Sequence, residues 1–185
     1  LEQTLDLVVA AAKHRAIEVK DHGIRLALPA NRLIRRRTHH AGSNITQSLV
    51  DPAQADIASP NVARDNLSDP PNNATFGKLF VRRKFTNNTG SPLTKLRFRI
   101  IDLATFPSPS GIADLRPSTS VAAVVPLTGG GTATVEGTTL DQPPSQPNGG
   151  GFNSSVTAGT VSAGSPLADG ASIDVQFQLG IQQTG

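Results

Sequence analysis

Residues 76–102 read FGKLFVRRKFTNNTGSPLTKLRFRIID, and no other stretch restricts the fold as tightly. Leu96, Phe98 and Ile100 alternate with Lys95, Arg97 and Arg99, the period-two pattern of a strand with one buried and one wet face. Leu79, Val81 and Phe85 share a phase in the first half. Between the halves lies TNNTGSP, whose Asn, Gly, Ser and Pro favour turns. Two such runs joined by such a turn are expected to pair as a β-hairpin at the centre of an antiparallel sheet. One face of it would be apolar and the other basic.

The rest of the chain agrees with a β fold. Gly and Pro are frequent (17 and 14 of 185 residues) and the apolar fraction is 37%, which suits short strands and turn-rich loops better than helices. Eight or nine strand candidates follow one another at spacings typical of a β-sandwich. Cysteine is absent, so there is no disulfide framework, thiolate nucleophile or sulfur-ligated zinc. No run of about 18 apolar residues is present to span a membrane as a helix.

Residues 1–41 are read as an N-terminal arm and hairpin. The arm keeps helical spacing at Leu1, Leu5 and Ala12, but Leu5, Leu7 and Val9 alternate as a strand would, and the β character of the remainder favours the strand. An extended apolar arm can add to the sheet edge of a neighbour. Residues 16–28 read as a hairpin around Asp21-His22-Gly23. Residues 32–40, RLIRRRTHH, form the densest basic run; without Trp or Tyr to stack on bases, a solvated strand edge is favoured over nucleic acid. His39 and His40 would point to opposite faces of a strand, and His14 and His22 have no ligand spacing, so no metal site is expected.

Residues 42–75 read as a polar connector. Its Asp51, Asp56, Asp65 and Asp69 suggest calcium, but the spacing matches no EF-hand, and a surface loop is expected. Residues 76–185 are read as the β-sandwich domain. Past the central pair, Phe106, Ile112 and Leu115 are expected to plug one end. Residues 121–127 and 132–140 read as strands around the TGGG turn, 152–161 as a short strand, and 172–179, SIDVQFQL, as a late alternating strand.

Three pieces, VRRKFTNNTGSPLTKLRFRIIDL, TTLDQPPSQPNGGGFNSS and GSPLADGASIDVQFQLGIQQTG, resemble the immunoglobulin-like β-sandwich modules of secreted and cell-surface bacterial proteins. The resemblance covers about residues 76–185. It implies an all-β, antiparallel, immunoglobulin-like β-sandwich, here with an N-terminal arm and hairpin extension. It also implies an extracellular structural or adhesive role without catalytic residues, and a further strand after Gly185, from the chain itself or from a neighbouring subunit.

Catalysis needs a positioned nucleophile, base or metal. All four His precede residue 41, no G-x-S-x-G elbow occurs, and aromatics are 4%, too few for a glycosidase cleft. No enzyme activity and no cofactor are expected. A carbohydrate-binding module is the alternative, although exposed Trp or Tyr platforms are missing. N-x-[ST] occurs at Asn44, Asn66, Asn73, Asn87 and Asn153, candidate glycan acceptors of a secreted protein, although turn-rich segments concentrate the same residue types.

Charge divides along the chain. Residues 1–101 hold 16 basic and 8 acidic side chains; residues 102–185 hold Arg116 and 6 acidic ones. Arg82, Lys84, Lys95, Arg97 and Arg99 would form a ladder of like charge on the hairpin's outer face, unfavourable unless acids cover it. Those acids are expected from the Asp51–Asp69 region or from the acidic half of another copy. The favoured expectation is a structural subunit that assembles head to tail into a filament or surface array, through strand addition and charge complementarity. Leu5, Leu7 and Val9 of the arm and the five basic residues would form the subunit interface. The alternative is a monomeric spacer or adhesive module of a larger secreted protein.

Overall fold

The structure, a computed structural model, describes residues 1–12, 45–106, 114–142 and 154–183. The 16–28 hairpin, the 32–40 basic run, all four His, Ile112, Asn44 and Asn153 lie outside the described residues.

The described chain is all-β, with eleven strands and a single 3-10 turn at Pro70–Asn72. In chain order the strands are β1 (Glu2–Ala12), β2 (Ile45–Leu49), β3 (Val62–Asp65), β4 (Lys78–Asn87), β5 (Lys95–Phe106) and β6 (Asp114–Ser118). Then come β7 (Ala123–Pro126), β8 (Thr132–Val135), β9 (Thr139–Gln142), β10 (Ser155–Thr157) and β11 (Ser172–Gln183). One sheet has the order β2-β4-β11-β6 with β3 also on β4; a second has the order β1-β5-β10-β9; β7 and β8 form a separate pair.

The central pair departs from the hairpin expectation. β4 and β5 belong to different sheets, so the chain crosses from one layer to the other through residues 88–94. That link is pinned to residues 167–171 instead of closing on itself: Leu93 and Leu167 exchange two backbone hydrogen bonds of 2.9 Å, and the Asn87 N–H donates to Ala171 O at 2.9 Å. The physical reason is that Asn87 and the link bond to residues 167–171, which leaves the apolar residues of the two strands to cover one another. Set in facing layers, Leu79, Val81 and Phe85 bury Leu96, Phe98 and Ile100, and all six join one core with Val175, Phe177, Leu179 and Ile181 of β11. Phe98 meets Phe85 at 4.8 Å and Phe177 at 4.9 Å between ring centroids, distances favourable for tilted and edge-to-face rings.

The 42–75 segment departs as well. It supplies two strands, β2 and β3, laid in tandem along the same edge of β4: Leu49 sits opposite Arg83 and Val62 opposite Val81. Polar composition hid them because an edge strand can bury one face alone, and only Ile45 of β2 and β3 is buried in the core, with Val62 packed against it. Residues 50–61 loop out between them. After the link residues, the later strands fall near their expected places, and Leu115 enters the main core as anticipated.

At the N-terminus, β1 is a strand, as the alternation of Leu5, Leu7 and Val9 suggested. It runs parallel to β5, with Glu2 opposite Lys95 and Ala12 opposite Phe106. Every other described strand pair is antiparallel.

Candidate functional site

The five basic residues do not form one ladder. Arg82 and Lys84 lie on the outer face of β4, while Lys95, Arg97 and Arg99 lie on β5 in the other sheet. Acids of the same chain meet three of them. Lys84 stands 3.8 Å from Asp174, its cross-strand partner on β11; Lys95 is 3.0 Å from Glu2 and Arg97 is 3.3 Å from Asp141. Arg82 donates to Gln176 Oε1 at 2.7 Å and to Pro60 O at 3.0 Å. The acidic second half therefore reaches the basic first half within one copy, through Asp141 and Asp174. Leu5, Leu7 and Val9 sit opposite Phe98, Ile100 and Leu103 in the β1–β5 register.

A charge absent from that ladder is the most buried among the described residues. Arg83 shares the inward phase of Leu79, Val81 and Phe85 and is 1% exposed, beside Asp56 at 10%. Its guanidinium donates to Asp56, to Asn61 O at 3.2 Å and to Arg82 O at 2.6 Å. Burial dominates at both partners, pushing the Asp56 carboxyl up and the Arg83 guanidinium down against their mutual attraction. The sequence did carry the signal: an arginine on the apolar phase of a strand must find a partner inside.

Around this pair the 50–61 loop is stapled at several points. The Asp51 N–H donates to Asn61 Oδ1 at 2.9 Å, and the Asn61 amide returns bonds to Asp51 O and Ala55 O. Asp51 also accepts from the N–H and hydroxyl of Thr128 at 2.8 and 2.7 Å, which joins the loop to the β7–β8 pair. Beneath them Val50, Val125 and Val135 form a second small core. Ser120 and Thr138 complete the belt through Gln176 O.

The Thr128 donors hold the Asp51 carboxyl below its ordinary value of 3.8. A carboxyl depressed by folding contributes stability above its unfolded value, and that contribution is lost as pH falls through the folded value. Asp51→Asn is therefore expected to lower the thermal midpoint at neutral pH, and the gap to the parent should close as pH drops below about 4. Unfolding scans across that range check it.

The four connector carboxylates have separate duties: Asp51 and Asp56 as above, Asp65 accepting the Leu67 N–H at 2.9 Å, and Asp69 paired with Lys78 at 3.0 Å. Among the described residues no group of three or more His, Cys, Asp or Glu is placed to hold a metal. Among the described residues, too, no helix is long and apolar enough to cross a membrane.

The sequons differ sharply. Asn87 is fully buried; its amide donates to Ser91 O and Leu167 O, and its oxygen accepts from the Thr89 N–H and hydroxyl. Asn73 is 6% exposed with a left-handed φ of 59° and accepts from Gln182 Nε2 at 2.9 Å. Gln182 also accepts from the hydroxyl of Thr75, the third residue of that sequon. Asn66 is exposed.

No family model, curated protein or solved structure matches the chain.

Proposed function

We propose that the chain is a non-enzymatic structural module of an extracellular or cell-surface protein, immunoglobulin-like in its two-layer plan, that is joined end to end with like modules. One observation carries this reading: β1 is an edge strand laid in parallel on β5, while every other described strand pair is antiparallel, so β1 is the strand whose pairing a neighbouring copy can supply.

The joint assigned to this module is the β5 edge. β1 fills it in parallel within one copy, and the same register accepts β1 of a neighbouring copy by strand exchange. Deleting residues 1–12 is expected to abolish higher assemblies in electron microscopy and light scattering while far-UV circular dichroism keeps its β signature. Assemblies that survive the deletion would sink the strand-exchange joint. The second reading is a monomeric spacer or adhesive, carbohydrate-binding module in a larger protein; a monodisperse monomer that binds on a glycan array would favour it.

A further inference from the structure

We infer that Asn66 is the N-glycan acceptor among the described sequons; this rests on the extracellular reading above. The three sequons are alike in sequence and unlike in the fold. An acceptor must offer a free side-chain amide nitrogen. At Asn87 that nitrogen donates to two backbone carbonyls inside the protein. At Asn73 the side chain is 6% exposed and its oxygen accepts from Gln182 Nε2 at 2.9 Å. At Asn66 the side chain is exposed and its oxygen accepts from Arg64 Nε at 3.4 Å. Nδ2 has no hydrogen-bond acceptor among the described residues.

The backbone around Asn66 is firmly held, so the amide is presented from a fixed turn. Asp65 Oδ1 accepts the Leu67 N–H at 2.9 Å, Ser68 Oγ donates to Thr75 O at 2.8 Å, and Arg64 donates to Phe76 O at 3.0 Å. Gly77 closes the far side at φ +85°, with the Asp65 carbonyl where a Cβ would stand, so only glycine fits this crossing. A second, independent observation points to a covering group. Leu67, inside the sequon, is 73% exposed, and Phe76, bonded to Arg64 across the turn, is 47% exposed. These are two of the six large apolar side chains exposed among the described residues, and both belong to this turn. The first sugar of a glycan on Asn66 would lie against them with its apolar face.

The step is a glycosyl transfer from an oligosaccharide carried on a polyprenyl diphosphate. The Asn66 Nδ2–C1 bond forms as the C1–O bond to the diphosphate breaks. The polyprenyl diphosphate leaves with the electron pair, and the amide gives up one proton. The membrane transferase supplies the catalysis and this chain supplies only the acceptor.

The test is to secrete the full chain from a eukaryotic host with N-glycosylation, purify the folded protein, and map occupancy site by site. Peptide-N-glycosidase digestion in heavy-oxygen water marks each formerly occupied Asn. A mark at Asn66 is expected, lost in both Asn66→Gln and Ser68→Ala, with the thermal midpoint of Asn66→Gln unchanged. An unmodified Asn66, or a mark at Asn73 or Asn87 in the folded protein, would overturn the assignment. Because secretion is imposed by the host, failure here bears on the site and leaves the end-to-end reading to its own deletion test.

Discussion

Phe98→Ala is expected to destabilise the fold by about 3–5 kcal/mol, the usual cost of removing a buried phenyl ring. For a domain of this size that lowers the thermal midpoint on the order of 10 °C. The reason is its place between layers. Phe98 is fully buried on β5 and touches Phe85 and Phe177, both from the opposite sheet, at 4.8 and 4.9 Å. Its loss opens a cavity at the seam of the two sheets, where neither layer can collapse without shifting a whole strand. The control uses the same chemistry at the surface: Phe76→Ala, at a ring 47% exposed, should cost under about 1 kcal/mol. A double-mutant cycle between Phe85 and Phe98, each changed to Leu, should show a coupling of about 0.5–1.5 kcal/mol. Equal, small effects for Phe98 and Phe76 in thermal or denaturant unfolding would contradict the facing-layer arrangement.

The strands were legible wherever one face is buried and the other wet. β4 and β11 alternate over eight or more residues and β5 over the six from Lys95 to Ile100, and periodicity alone places their core faces. How strands are joined is a different question, and alternation does not answer it. The 79–85 and 96–100 apolar runs pair equally well on paper side by side or face to face. The choice between them rests on a buried asparagine, Asn87, and on contacts with residues 167–171 that are about 80 positions away. β2 and β3 were hidden for another reason. As short edge strands they bury little, and their turn-rich surroundings resemble a connector. The basic ladder failed in the same way as the hairpin, since its two halves lie on opposite layers. Conversely, Arg83 could have been found from its phase, and the sorting of the sequons could not. Whether an asparagine holds a turn from inside or stands in solvent depends on partners such as Leu167 and Gln182, far away along the chain.

Asp56→Ala is expected to cost about 3–5 kcal/mol, because it leaves the Arg83 guanidinium buried without its counter-charge. The two remaining bonds of that guanidinium, to Asn61 O and Arg82 O, satisfy donors but do not neutralise charge. Arg83→Ala should cost a similar amount, since it strands the Asp56 carboxylate at 10% exposure and empties a space under the 50–61 loop. The informative variant changes both. Burial opposes ionisation at each partner more than the other partner favours it, so the pair contributes little net stability over an apolar filling. Arg83→Met with Asp56→Leu is therefore expected to be close to the parent, and more stable than either single change. What the double variant should lose is the definition of the loop. Asp56 is the side chain of residues 52–59 that pairs with the buried Arg83, and without it the loop keeps Asn61 on Asp51 and Ala55, Asp51 on Thr128, and Gln54 on the Thr128 hydroxyl at 2.7 Å. Faster amide exchange confined to residues 52–59 at unchanged global stability would show that the ion pair positions the loop. If the double variant were as unstable as the singles, the pair would instead be a net source of stability, and the dominance of burial would be wrong.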